Sequence, residues 1–168
     1  MHWFALTVKP QHERAVAEQL KAKSLEGYVP FYSCRRRWSD RTKLVELPLF
    51  PRYVFCRFKF EDRVKILSIL SVTSIVGFGG MPSPVSEGEI ETIKTMVGSG
   101  LPIAPTPPVY VGQKVRIVEG ALCGLEGVLA REKGGCRVIV NVDLLQRGVA
   151  VDVHRDLLAP IGGRELNN

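Results

Sequence analysis

Gly98-Ser-Gly-Leu-Pro102-Ile-Ala-Pro105-Thr-Pro107-Pro108 decides how this chain is organised. Glycine pays a high entropic cost in any regular element and proline lacks a backbone donor. Two glycines and four prolines within eleven residues therefore argue against both helix and sheet ladder. The stretch reads as an interdomain linker, which as extended polyproline II would span roughly 34 Å at about 3.1 Å per residue. Taken with the flanking patterns, it predicts a domain over 1–98, a linker over 99–108, a second domain over 109–161 and a tail over 162–168.

Upstream of the linker the pattern mixes periods. His2 to Val8 reads as a strand, and Gln11 to Leu25 as a helix with Val16 and Leu20 one turn apart, ended by Gly27. Tyr28 to Trp38 and Leu44 to Phe60 are rich in aromatic and branched residues, with Ser39-Asp40-Arg41-Thr42 between them, and read as a long hairpin. Pro48 and Pro51 interrupt its second arm and imply an edge or a bend. Asp62 to Ser71 reads as a short helix and Ile75 to Phe78 as a strand. Ser86-x-x-Glu89 is a capping box opening a helix that turns Ile90, Ile93 and Val97 inward. This order implies a sheet with helices packed on it.

Downstream, no helical period of useful length exists. Lys114 to Glu119, Gly127 to Glu132, Cys136 to Val142 and Val149 to Val153 are short valine-rich runs separated by turn signals, including Gly134-Gly135. A small β-barrel is the natural closure. Its strong β propensity argues against a helical resting state for this segment.

The 168 residues carry 23 Lys plus Arg against 17 Asp plus Glu, a net charge of +6 that points to an anionic partner. Residues 1–60 hold twelve basic and five acidic residues and 61–168 hold eleven and twelve, so the excess belongs to the first third. That distribution implies a local basic patch rather than a basic body. Four cysteines, Cys34, Cys56, Cys123 and Cys136, form no C-x-x-C pair, and with His2, His12 and His154 they make a poor zinc set. They read as buried free thiols in a reducing cytoplasm. No charged leader precedes an apolar run, and no stretch has the length of a membrane span. No nucleophile elbow, H-E-x-x-H or paired carboxylates suggest catalysis.

Three features can carry function. Arg35, Arg36, Arg37, Arg41 and Lys43 against Asp40 give a hairpin tip of net charge +4 within nine residues. Strand alternation puts Arg35 and Arg37 on one face and Arg36 with Trp38 on the other, so the tip can straddle a phosphate backbone and offer an indole for stacking. Edge strands also carry charge for solubility, the plainer reading. Second, Phe50-Pro-Arg-Tyr53-Val-Phe55-Cys-Arg57-Phe58-Lys59-Phe60 places Val54, Cys56, Phe58 and Phe60 on one face and Tyr53, Phe55, Arg57 and Lys59 on the other. The second face is either packed between helices or an exposed aromatic surface rimmed by Arg, as at protein interfaces. Third, Gly112-x-x-Val115-x-Ile117-x-x-Gly120-x-Leu122-x-Gly124-x-x-Gly127 is a strand feeding a glycine-punctuated loop. No helix follows, which excludes a phosphate-binding loop. Gly77-Phe-Gly79-Gly80 reads as a turn.

The third feature resembles a KOW motif. Trp3-Phe4-Ala-Leu, Pro48-Leu-Phe-Pro-Arg-Tyr53-Val-Phe55 and Ser71-Val-Thr-Ser-Ile-Val-Gly77-Phe78 resemble the N-terminal domain of NusG transcription factors, so the resemblance covers nearly the whole chain. The compact length and the Pro-Leu-Phe-Pro signature look most like the specialised RfaH and UpxY-type paralogues. The resemblance implies an α+β fold, an N-terminal α/β sandwich joined to a small all-β SH3-like KOW barrel. It implies a non-enzymatic factor, without cofactor or metal, that binds the clamp helices of RNA polymerase and suppresses pausing or termination.

By position, Phe50, Tyr53, Phe55 and Phe78 match the family's aromatic polymerase-binding surface, and the basic tip matches the hairpin that contacts upstream or non-template DNA. Leu144 and Leu145 align with the apolar position through which the KOW domain recruits a small-subunit ribosomal protein, termination factor Rho being the other family partner. Thr7 stands where RfaH has a pocket tyrosine, and Lys65-Ile66-Leu67 where it has a polar His-Thr-Thr. The alternative reading is a KOW-containing ribosome-associated RNA-binding protein.

Overall fold

The computed structural model describes residues 1–109, 112–132 and 135–162. The chain divides into two compact units, Met1–Ile90 and Glu91–Asn168.

The first unit runs β1 (His2–Val8), α1 (Glu13–Ala22), β2 (Glu26–Tyr28), β3 (Phe31–Arg37), β4 (Thr42–Pro48), β5 (Tyr53–Phe58), α2 (Arg63–Leu67), β6 (Val72–Ile75), β7 (Gly77–Phe78), β8 (Met81–Pro82), β9 (Pro84–Val85) and the start of α3 (Glu87–Gly98). Its main sheet has the order β2-β5-β1-β6, with β9 also pairing β1. All pairings are antiparallel. β1 lies at the centre and is almost wholly apolar because both of its faces are covered. Phe4, Leu6 and Val8 join Val54, Cys56 and Phe58 of β5 in a core closed by Val16 and Leu20 of α1 and by Ile66 and Ile69.

Most predicted elements recur with tighter ends, but the predicted strand Ile75 to Phe78 is split: Ile75 ends β6 in the main sheet, whereas Gly77–Phe78 form β7 and pair with β8 in a sheet of their own. α1 is shorter than the predicted Gln11 to Leu25 because Gln11 and Ser24 take positive φ values of 64° and 58° and so flank it as non-helical residues. The predicted long hairpin is divided. β3 and β4 form a two-stranded sheet of their own, whereas β2 and β5 belong to the main sheet. The break falls at Leu49–Arg52, where the proline signal placed a bend. At α3 the Glu89 carboxylate accepts the Ser86 backbone N–H at 3.2 Å, as the capping box requires. Ile90, Ile93 and Met96 are buried while Val97 is half-buried, so Met96 takes the place assigned to Val97.

The second unit contains β10 (Ile103–Thr106), β11 (Gln113–Ile117), β12 (Glu126–Glu132), β13 (Gly135–Val142), β14 (Arg147–Val153) and β15 (Leu158–Pro160). They form an antiparallel six-stranded sheet in the order β10-β14-β13-β12-β11-β15. Val115, Ile117, Leu129, Val138, Val149, Val151 and Leu158 are among its buried residues. Gly127 is obligatory by close approach, since a Cβ there would stand 2.6 Å from the Ile139 carbonyl oxygen. Gly134 of the predicted turn and residues 163–168 of the predicted tail lie outside the described residues.

The proline-rich segment departs from its reading as a free linker. Ile103 to Thr106 pair with Val151 to Gly148 of β14. Beyond Pro108, the Asn141 side-chain amide donates to the Val109 carbonyl at 2.8 Å and its oxygen accepts the Val109 N–H at 3.1 Å. Pro105 is tolerated because β10 is the outermost strand, where a missing donor can face away from the ladder.

Candidate functional site

The two faces of β5 meet different surroundings. Register across β1 aligns Tyr53 with Thr7, Phe55 with Ala5 and Arg57 with Trp3, all on the face opposite the α1 core. Phe55 is fully buried there, with Phe50 edge-on at 5.7 Å between ring centroids and Tyr28 stacked at 6.4 Å. Phe50 is only 1% exposed. Arg57 reaches Glu26 at 3.7 Å and Glu87, at the start of α3, at 3.1 Å. Of the four expected surface aromatics, Phe50 and Phe55 are thus core residues and cannot touch a partner in this conformation. Tyr53 is half-buried and Phe78 is 72% exposed. Tyr28, directly opposite Phe55 across the β2–β5 ladder, and Phe50 pack against the ring that an open ridge would expose.

Between β4 and β5 the chain turns through Phe50-Pro51-Arg52-Tyr53, with the Tyr53 N–H donating to the Phe50 carbonyl at 3.1 Å. Arg52 holds φ at 71°, a value usually left to glycine. Glu13, 6% exposed, compensates by accepting the Arg52 N–H at 2.8 Å, and the Arg52 carbonyl accepts the Val8 N–H at 2.9 Å. Sequence reading missed Glu13, because nothing in a single acidic residue at a helix start announces a tertiary acceptor role.

The open apolar surface lies elsewhere in this unit. Phe78 pairs with Met81 across a hairpin whose turn is Gly79-Gly80, with φ values of 58° and 79°. Such a two-residue glycine turn closes a tight hairpin, and Met81 is 61% exposed. Gly77 has no alternative, since a Cβ there would fall 1.9 Å from the Met81 carbonyl oxygen. Between this hairpin and α2 runs a groove of about 650 Å³ lined by Phe60, Arg63, Leu67 and Met81, among others. Val64, Leu67 and Leu70 are also exposed. Gly77-Phe-Gly79-Gly80 is a turn, as its composition indicates, and the fold adds the pairing of Phe78 with Met81 across it.

The basic tip is where alternation placed it. Arg35, Arg36, Arg37, Arg41 and Lys43 are all exposed, and Trp38 is 59% exposed. The Trp38 N–H donates to the Arg41 carbonyl at 2.8 Å and closes the loop. At its base the hairpin is tied to α1, where Arg14 pairs with Glu46 at 2.6 Å and lies 3.9 Å over the Phe31 ring.

Residues 1–94, the greater part of the chain, match the family described as transcription termination factor nusG. The chain belongs to the NusG family. A relative named transcription termination/antitermination protein NusG, from Lactococcus lactis, is 31% identical over 91% of this chain and 90% of its own. A protein of the same name from Helicobacter pylori strain 26695 is 24% identical over 91% and 94%. A solved structure described as domain interaction in Thermotoga maritima NusG covers 95% of this chain and 97% of its own at 24% identity, with a TM-score of 0.56, a likeness of fold.

In this NusG-family chain the second unit places Leu144 and Leu145 in a single 3-10 turn, Asp143–Leu145, between β13 and β14. Leu145 is buried and belongs to the interior, whereas Leu144 is half-buried. The Gly120–Gly124 loop turns back on β11, with the Gly124 N–H donating to the Ile117 carbonyl at 2.7 Å. The thiols are free, as read, yet only Cys56 is buried; Cys34 and Cys136 are half-buried and Cys123 is exposed. Burial, reinforced by the Glu26 charge, pushes the Cys56 thiol up from 9.0 to about 12. Among the described residues no group of three His, Cys, Asp or Glu is placed to hold a metal ion, and no helix is long and apolar enough to cross a membrane.

Proposed function

We propose that this NusG-family transcription termination/antitermination factor acts by binding RNA polymerase through its first unit, suppressing pausing or termination. The contact is made by Phe78 and Met81, with Tyr53 and the α2 groove contributing and Phe50 and Phe55 acting as the packed floor. The exposure of the Phe78–Met81 pair carries this reading. Two large apolar side chains paired across a tight glycine turn are costly to leave in water and are the type of residue that anchors interfaces.

The β3–β4 tip adds a nucleic-acid contact, upstream or non-template DNA in the family pattern. The second unit is a KOW barrel that recruits Rho or a small-subunit ribosomal protein through Leu144. With Ile103–Thr106 paired to β14, any tether between two independent modules is shorter than the proline run suggests. The Pro48-Leu-Phe-Pro51 signature favours a specialised RfaH or UpxY-type role.

Retention of purified RNA polymerase on the immobilised chain tests the central claim. Phe78→Ser with Met81→Ser is expected to abolish retention while leaving the fold intact. Undiminished retention by that double variant would move the interface elsewhere. Transcription across a terminator, with and without the protein, then reads the activity.

A further inference from the structure

The outermost strand of the second unit is held as a ligand is held. Ile103, Ala104, Pro105 and Thr106 pair with Val151, Ala150, Val149 and Gly148 of β14, whose other edge is paired along its whole length with β13. Asn141 of β13 then grips the Val109 backbone with both ends of its side-chain amide, accepting the N–H at 3.1 Å and donating to the carbonyl at 2.8 Å. Gly148 supplies a notch, since a Cβ there would stand 3.0 Å from the Thr106 methyl and 3.1 Å from the Pro107 carbonyl oxygen. The strand gives the interior little in return. No residue from Ile103 to Val109 is buried, whereas Val149, Ala150 and Val151 of β14 are. The segment thus brings backbone pairing but no core side chain.

A segment bound by its backbone, a two-point clamp and a glycine notch, outside the core, can be replaced by another chain of like form. We infer that the β14 edge, with Asn141 and Gly148, is a docking site for an extended, uncharged, proline-bearing segment of a partner protein, and that Ile103–Val109 occupies it in cis until such a partner displaces it. Strand addition to a sheet edge is an established mode of peptide recognition, in which main-chain hydrogen bonds supply affinity and side-chain pockets supply selectivity. The cis occupant defines the partner's chemistry. Residues 103–109 carry no charge, and their three prolines restrict the chain before it docks, which lowers the entropy lost on docking. The inference does not rest on the polymerase contact, which belongs to the first unit.

The test releases the cis segment in the full chain and offers the same sequence in trans. Ile103→Asp with Thr106→Asp places carboxylates at two half-buried positions of β10 and is expected to free it while the second unit still unfolds cooperatively. A fluorescein-labelled peptide with the sequence Pro102–Val109 is the probe, read by anisotropy and by amide hydrogen exchange across residues 148–151. The released variant is expected to bind the peptide and to recover in its presence the protection that β14 loses on release. In wild type the cis segment competes at a millimolar effective concentration. A peptide of about 100 µM dissociation constant should therefore bind wild type about tenfold more weakly than it binds the released variant.

Asn141→Ala added to the released variant removes both clamp hydrogen bonds and is expected to weaken peptide binding about 5- to 150-fold. A released variant that is folded yet neither binds the peptide nor regains protection overturns the site. Loss of cooperative unfolding on release makes β10 an integral strand and overturns it equally. A concentration-dependent dimer of the wild-type chain that disappears in the released variant assigns the edge to a second copy and overturns the partner assignment.

Discussion

The Glu13 carboxylate accepts the backbone N–H of Arg52 at 2.8 Å, and this bond joins the first turn of α1 to the turn that launches β5. Arg52 is an L residue in the left-handed region, a conformation costing about 1–2 kcal/mol, and the buried Glu13 acceptor helps to hold it there. Glu13→Ala is therefore expected to destabilise the chain by about 1–3 kcal/mol, measured as a drop in the urea midpoint. Arg52→Gly in the same background is expected to recover part of that loss, because glycine adopts the turn without strain. No recovery would mean that Glu13 acts through its own burial and not through the turn.

The four aromatics divide by burial, and their variants divide with them. Phe55→Ala empties a fully buried site and is expected to cost about 3–5 kcal/mol, whereas Phe78→Ala at an exposed tip stays within about 0.5 kcal/mol of wild type. Denaturant unfolding of both variants, set beside polymerase retention, separates floor from contact. Equal destabilisation by the two would contradict the burial assignment.

Gly77 joins backbone geometry to presentation of the Phe78–Met81 pair. Gly77→Ala forces a methyl group onto the Met81 carbonyl and is expected to open the β7–β8 hairpin, lowering polymerase retention at least as far as loss of Phe78 alone. Global stability falls less than for Phe55→Ala, since this two-stranded hairpin is a sheet separate from the main one. Amide hydrogen exchange across residues 77–82 is the direct readout, with faster exchange expected there and little change in β1 and β5.

Cys56 gives stability an alkaline limb. Its folded-state pKa is raised from 9.0 to about 12, so the protonated thiol contributes its full share below pH 9 and loses it as pH rises through 12. Over that window the slope attributable to this group is about 1.4 kcal/mol per pH unit at most. Cys56→Val removes the titrating group at similar volume, and its unfolding free energy is expected to fall less steeply than wild type above pH 9. Superimposable curves would refute the assignment. A thiol reagent at neutral pH is expected to label exposed Cys123 well before Cys56.

Much of the fold was legible because its determinants are local. The period of β1, the double alternation along β5, the valine runs of β11 to β14 and the capping box before α3 each encode an element in neighbouring residues. The basic tip was legible as well, since charged side chains at a hairpin end seldom find cover. The ends of α1 were harder, because Gln11 and Ser24 adopt positive φ without a glycine to announce it.

By itself, then, the sequence determined the alternation along most strands and the turns that glycine and proline mark. It could not determine what arrives from a distance to cover a given face, because that depends on contacts between residues far apart in the chain. Tertiary structure decided that Tyr28 and Phe50 close over Phe55 while Phe78 and Met81 stay open, and that Glu13 supports Arg52. It also decided that Ile103 to Thr106, proline and all, become an edge strand on β14. The alternation of β5 is equally compatible with a covered or an open aromatic face, and the composition of the proline segment is equally compatible with a tether or an edge. In each case a partner strand or ring supplied by the fold resolves the choice.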